Sequence, residues 1–207
     1  MLRERKPLGS QPKGVSYMPV PYWEIICVCW MVFLIYWRLR SIRSLHSKRK
    51  VALTFTVSNN VLLFLGLLLV LLGRSVSGSL GLLFLPQVIF IHIIGTIFAI
   101  AGVSFAIWSR HLLRNNWSHN VAILEDQQFI LSGPYAIVRH PIYTGILLAL
   151  LGTTLVASTI GSLLGFVFAI ISLWQKACME EQLLITEFGQ QYANYQRDVR
   201  FLIPLIY

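Results

Sequence analysis

Hydrophobic residues in this chain fall in long, nearly unbroken blocks separated by short polar stretches, rather than in the alternation of a half-buried strand or the single stripe of a surface helix. The first block covers residues 22–37 and is bracketed by Tyr22-Trp23 and Tyr36-Trp37, the aromatic pairs that favour a membrane–water interface. The second covers residues 51–72 and carries Ser58-Asn59-Asn60, polar side chains expected to face a neighbouring helix. A glycine- and serine-rich turn leads into a third block, residues 82–108, where Pro86 is expected to start or kink the helix and His92 to be packed or hydrogen-bonded. The last apolar stretch, residues 142–174, is broken by Ala157-Ser158-Thr159 and Gly161 and reads as two helices in a tight hairpin. The pattern predicts a polar amino-terminal tail (1–21), three transmembrane helices (22–108) and a region (109–207) that contains the hairpin 141–174 and most of the chemistry-capable side chains. The expected fold is all-α: a polytopic membrane protein of about five transmembrane helices with a carboxy-terminal cytosolic segment.

Composition strengthens this picture. Of 207 residues, 56% are hydrophobic and 12% charged, against roughly 45–50% and about 25% in soluble domains. Spans of about 20 residues occupy roughly half the chain and leave no room for a separate soluble domain of about 100–200 residues. No G-x-G-x-x-G or P-loop follows a strand-like run, so a nucleotide-like cofactor needs another kind of pocket.

The net charge of +9 is unevenly placed: Arg38, Arg40, Arg43, Lys48, Arg49 and Lys50 crowd one stretch without an acid. Beside a span, such a cluster marks the cytoplasmic side rather than nucleic-acid binding. Residues 109–140 and the tail after Trp174 then share the cytoplasm and flank the hairpin, so they can converge on one site at the membrane surface. The expected location is a bacterial inner membrane, with the site facing the cytoplasm. Cys27, Cys29 and Cys178 lack C-x-x-C spacing, and the five histidines lack H-x-x-H or H-E-x-x-H, so no zinc or redox-metal site is expected.

The densest chemical signal is Gly133-Pro134-Tyr135-Ala136-Ile137-Val138-Arg139-His140-Pro141-Ile142-Tyr143-Thr144-Gly145. Gly133-Pro134 makes a turn and Pro141 suits the first position of a helix, which puts Arg139, His140 and Tyr143 at a helix amino terminus. Free N–H groups and a partial positive charge there favour an anionic ligand group, while the same three side chains also suit an interfacial anchor; both readings stand. Beyond the hairpin, Lys176 and Glu180 lie one helical turn apart, the spacing of an ordinary ion pair. The adjacent carboxylates Glu180 and Glu181 are costly at a lipid surface unless a cation or donors lie near. Phe188-Gly189-x-x-Tyr192-x-x-Tyr195 follows.

Together, G-P-Y-x-x-x-R-H-P-x-Y-x-G, then E-E and F-G-x-x-Y-x-x-Y, resemble the isoprenylcysteine carboxyl methyltransferase family of integral membrane methyltransferases, and the short chain looks like a prokaryotic member. Leu112-Leu113-Arg114-Asn115-Asn116-Trp117-Ser118 is similar to the segment ahead of that family's motif. The resemblance covers about residues 108–204. It implies an enzyme that binds S-adenosyl-L-methionine in a cytosol-facing pocket and methylates a lipophilic acceptor, with the carboxylate of an isoprenylated cysteine-like substrate as one candidate. It further implies cofactor contacts from Tyr135, His140, Pro141, Ile142, Tyr143, Glu180 and Glu181. Gln127, Gln128, Phe129 and Ile130 occupy the place of the family's His-x-Leu-Val, with Gln127 standing where the histidine is usual, and Asn120 lies where a family glutamine sits. Lys176 stands where eukaryotic members carry an arginine linked to the substrate carboxylate. Lys176 or Arg139 would orient an anionic acceptor. The expected partners are thus a lipophilic small molecule or prenylated substrate and membrane lipid, not nucleic acid. A phospholipid or amine N-methyltransferase and a non-catalytic membrane subunit of the same fold remain as alternatives.

Overall fold

The computed structural model describes residues 21–41, 47–50, 53–75, 78–113, 122–124 and 131–203. Residues 1–20 of the expected tail, and the candidate residues Asn120, Gln127, Gln128, Phe129 and Ile130, lie outside the described residues. Among the described residues six α-helices follow in order: α1 (Tyr22–Ser41), α2 (Leu53–Leu72), α3 (Ile89–Leu113), α4 (Pro141–Ala157), α5 (Ile160–Phe188) and α6 (Gln190–Asp198). Four of them, α1, α2, α3 and α5, are long and apolar enough to cross a membrane, and α4 is a shorter apolar helix of 17 residues. Outward faces carry Leu34, Phe64, Phe90 and Ile97 exposed, as expected where lipid rather than water is the solvent. A short antiparallel ladder between β1 (Ser47–Lys50) and β2 (Ala122–Leu124) adds to the helical expectation a feature that the basic run did not signal.

Among apolar surfaces in lipid, helices associate by close packing rather than by hydrophobic drive, and small residues make the approach possible. Helix α3 lies along α4 with Gly102 against Gly145 and Ala149, and Gly95 against Gly152. A Cβ on Gly145 would sit 2.6 Å from the backbone nitrogen of Ala106. Helix α2 lies along α5 in the same manner, Gly66 against Gly165. Trp30 of α1 donates its indole N–H to Thr153 Oγ1 of α4 at 3.0 Å, so that a buried polar group is satisfied where water is absent.

The hairpin turn is set by local chemistry. Ser158 takes the left-handed conformation (φ 52°) that ends α4, and Thr159 and Ser162 form a reciprocal capping box that starts α5. The preceding loop docks on this tip through Phe84 N–H to the Ser158 carbonyl and Ile160 N–H to the Leu82 carbonyl, both 2.9 Å. At the other end of the bundle the carboxyl ends of α1 and α3 meet: Arg40 Nη2 and His111 Nδ1 are 3.2 Å apart, and Tyr135 directs its hydroxyl to the Ser109 carbonyl. Pro86 precedes α3, and His92 pairs with Gln87 through its ring nitrogen at 3.1 Å.

One element is longer than the hydrophobic pattern indicates. Helix α5 does not stop near Trp174 but continues without a break to Phe188, 29 residues in all. At 1.5 Å per residue it is about 44 Å long, beyond the roughly 30 Å of a hydrocarbon core. Glu180 sits about 20 residues, and therefore about 30 Å, from Ile160. Lys176, Glu180 and Glu181 thus ride on the same rigid rod as the second arm of the hairpin. Gly189, at φ 52°, allows the chain to reverse at once into α6.

Candidate active site

His140 ends a sharply turned approach: a 3-10 turn at Gly133–Ala136, then Val138, which pairs in parallel with Arg200. It is the cap residue of α4, with Pro141 at the first helical position, where the missing N–H costs nothing. The His140 side chain makes no capping hydrogen bond, and its ring instead stacks on that of Tyr143 at 5.7 Å with 7° between planes. Both rings face α5. Segment 199–203 returns beside this approach, with Arg139 N–H donating to the Arg200 carbonyl (2.7 Å) and His140 N–H to that of Phe201 (3.3 Å). Thr144 Oγ1 donates to the Leu202 carbonyl at 2.5 Å, and Phe201 meets the His140 ring edge-on at 5.2 Å.

The two neighbouring glutamates point to different partners, as a rotation of about 100° per residue requires. Glu180 Oε1 accepts from the Tyr143 hydroxyl at 2.5 Å, and its Oε2 is 3.5 Å from His140 Nδ1. Glu181 faces α6. Its Oε1 receives Arg139 Nε at 2.5 Å and the Tyr192 hydroxyl at 3.3 Å, while its Oε2 receives Gln196 Nε2 at 2.8 Å and Arg139 Nη2 at 3.5 Å. Arg139 Nη1 donates to the carbonyls of Gln196 (3.0 Å) and Val199 (2.6 Å). His140 Nε2 is 3.4 Å from Glu181 Oε1 but not aligned for a hydrogen bond, which leaves a buried polar atom without a hydrogen-bond partner. The Glu180 side chain keeps 26% of its surface open against 13% for Glu181, so Glu180 is the carboxylate with capacity for a further donor.

The expected residues therefore come together as follows. Arg139, His140, Tyr143, Glu180 and Glu181 form one cluster at the end of the hairpin away from its turn. Lys176 places its ammonium 5.9 Å from the Tyr143 ring centroid, on the same helix one turn before Glu180. Tyr135 lies one step away, buried, its carbonyl accepting from the Tyr195 hydroxyl at 2.6 Å. Pro141 begins α4, and Ile142 packs with Leu173, Ala177 and Leu202 beneath the cluster. Gln196 is absent from the residues that sequence reasoning selects. Its signal was there to read, since it lies four residues after Tyr192 on one face of a helix.

Electrostatics follow from burial and from the two carboxylates. Burial opposes a charge on His140, but the close carboxylates of Glu180 and Glu181 outweigh it and raise its pKa above the usual histidine value. Burial first, and then nearby carboxylates, push Tyr135 and Tyr192 up as well, so both remain protonated donors at neutral pH. A cavity of about 360 Å³ lies on the other flank of α6, between Leu131, Ala136 and Asn194 among others, and is lined by none of the cluster's charged residues.

Residues 93–186 match the profile of the isoprenylcysteine carboxyl methyltransferase (ICMT) family, a range that contains the whole Arg139–Glu181 cluster. The chain is similar to Protein-S-isoprenylcysteine O-methyltransferase of Schizosaccharomyces pombe, 28% identical over 169 residues, which cover 74% of this chain and 71% of that protein. It is also similar to Methanethiol S-methyltransferase of Pseudomonas deceptionensis, 39% identical over 70 residues (34% of this chain, 26% of the relative). Methanethiol S-methyltransferase 2 of Bradyrhizobium diazoefficiens is 40% identical over 84 residues, 41% of this chain and 32% of the relative. The match thus spans only about a quarter to a third of these bacterial relatives. Residues 93–186, the segment that builds the cluster, are thus similar to the isoprenylcysteine carboxyl methyltransferase family.

Proposed function

We propose that this chain is an S-adenosyl-L-methionine-dependent methyltransferase of the membrane, acting at the cytoplasmic surface on a lipophilic acceptor. The observation that carries the reading is the meeting of Arg139, His140 and Tyr143 with Glu180 and Glu181 within 2.5–3.5 Å at one mouth of the hairpin. The residues fit the methyl donor. Its amino-acid moiety presents an ammonium and a carboxylate: Glu180, the more open carboxylate, would accept from the first. His140, with a buried ring nitrogen lacking a hydrogen bond, and the amino terminus of α4 would suit the second. When bound, the cofactor supplies an activated methyl group on a sulfonium.

The chain's own residues then have a modest task. A carboxylate acceptor is already ionised near neutral pH, so no general base is needed, and positioning with exclusion of water provides the rate. Lys176, on the face of Tyr143, would orient an anionic acceptor, while the donors of Arg139 are directed to Glu181 and to two main-chain carbonyls. Acceptor entry from the bilayer agrees with the depth of the cluster, about 30 Å along α5 from its start.

The likeness to two methanethiol S-methyltransferases favours a second reading, in which the acceptor is a thiol. The two differ in pH dependence. A thiol must lose a proton from a group of pKa about 8.5, so its methylation accelerates through that range, whereas carboxylate methylation does not. The test is to incubate membranes containing the protein with methyl-labelled cofactor, identify the labelled product, and measure the rate between pH 6.5 and 9. Label in no lipid, thioether acid or thiol, together with no cofactor affinity by calorimetry, would overturn the reading in favour of a non-catalytic subunit.

A further inference from the structure

Helix α6 contributes nothing to the family's matched range, which ends at residue 186, yet it supplies two of the three residues that donate hydrogen bonds to Glu181. Gln196 is unusual among them because it bonds both members of the Arg139–Glu181 pair. Its side-chain amide nitrogen donates to Glu181 Oε2 at 2.8 Å, and its main-chain carbonyl accepts from Arg139 Nη1 at 3.0 Å. Glu181 would otherwise have an alternative partner at hand: His140 Nε2 is 3.4 Å from Oε1, close enough for an ion pair but not aligned for a hydrogen bond. A carboxylate drawn toward α6 leaves the imidazole available to a ligand; one released from α6 turns to the imidazole. We propose that Gln196 is a positioning residue that holds Glu181 away from His140 and so keeps the His140–Glu180 face open for the cofactor.

This inference rests on the proposed methyltransferase reading, and the two can be separated. The groups around the imidazole are Glu180, Glu181 and Lys176 from α5, Tyr143 from α4, Arg139 before it, Tyr192 from α6 by way of Glu181, and the Phe201 ring. None of these is changed by substitution at position 196. Gln196→Leu removes a neutral donor from Glu181, which strengthens the carboxylate's pull on the imidazolium and moves the His140 titration to higher pH. Gln196→Lys keeps a donor and adds a positive charge, and it moves the titration to lower pH. A residue needed only for folding gives no such pair of opposite shifts.

The experiment is to titrate full-length, isotope-histidine-labelled protein in nanodiscs by NMR, with the His140 resonance identified by its loss in His140→Gln, and to measure S-adenosylhomocysteine affinity by calorimetry on the same samples. Expected are a midpoint raised by about 0.5–1 pH unit in Gln196→Leu and lowered in Gln196→Lys. The ligand should bind about tenfold more weakly to Gln196→Leu than to wild type, and near normally to Gln196→Lys. Unchanged midpoints in both variants overturn the positioning role whatever the ligand does, and so does wild-type affinity in Gln196→Leu. Opposite midpoint shifts in a protein that binds no ligand even as wild type overturn the methyltransferase reading instead.

Discussion

Tyr143 reaches from the first turn of α4 to α5 and donates its hydroxyl to Glu180 Oε1 at 2.5 Å, joining the two arms of the hairpin at its open end. The bond fixes one oxygen of the carboxylate and leaves the other, 3.5 Å from His140, for a ligand. Tyr143→Phe keeps the ring stacked on His140 and removes only the donor. A hydrogen bond to a charged group is worth about 1.5–3 kcal/mol, so cofactor affinity should fall about 10- to 150-fold. Melting temperature should change little, because Glu180 retains access to water. Calorimetry with S-adenosylhomocysteine checks this; unaltered affinity would remove Glu180 from the binding site.

Arg139 holds Glu181 and the main chain of the returning segment at once, through Nε to the carboxylate and Nη1 to the carbonyls of Gln196 and Val199. Both charges are largely buried, at 13% side-chain exposure each. Arg139→Ala leaves Glu181 without its counter-charge and two carbonyls without donors, a loss of about 3–5 kcal/mol. Arg139→Lys retains a charge but not the fork, and should fall between the two. Thermal unfolding in detergent should rank wild type above Arg139→Lys above Arg139→Ala. If Arg139→Ala matched wild type, the strap formed by residues 199–203 would have to be held by its main-chain bonds alone.

These two residues also mark how far the sequence could be read. The spans, the break at Ser158-Thr159 and the placing of Arg139, His140 and Tyr143 at a helix start are local, encoded in apolar block lengths, a capping pair and a proline at the first helical position. The run of α5 beyond Trp174 was hidden because the hydrophobic signal stops where the helix leaves lipid, although Gln175, Lys176, Ala177, Met179 and the glutamates are good helix formers. The separate duties of Glu180 and Glu181 cannot be read from adjacency. They depend on which element lies on each side of α5, a matter of tertiary packing, as does the meeting of Gln196 with a carboxylate 15 residues earlier. The motif likewise gives Arg139 a place at the rim but not the direction of its guanidinium.

The packing that brings the hairpin mouth into register should be intolerant of volume. Gly102 of α3 lies so close to Gly145 and Ala149 of α4 that an added Cβ meets the backbone of both. Gly102→Leu should abolish folded, monodisperse protein, and Gly102→Ala should cost about 1–3 kcal/mol. Leu34→Ala, on the lipid-facing side of α1, is the control and should be near neutral, since its side chain is exposed. Size-exclusion profiles and melting curves of the three variants test this; a Gly102→Ala variant as stable as wild type would mean that α3 and α4 can separate without cost.

His140 should make stability depend on pH in one direction. Its folded-state pKa is raised, since Glu180 and Glu181 favour the imidazolium more than burial disfavours it, while in the unfolded chain it titrates near 6.5. A group whose pKa is higher when folded binds its proton more tightly in the native state, so its contribution is complete below about pH 6.5 and is lost as pH rises through the raised value. Tyr192, raised by burial, remains neutral over this range and does not alter the sign. Melting temperature in nanodiscs should therefore decline as pH rises above about 6.5 in wild type, with a shallower decline in His140→Gln. Equal slopes in the two proteins would show that the imidazole gains no proton affinity from the twin carboxylates, and the electrostatic account of the cluster would have to be abandoned.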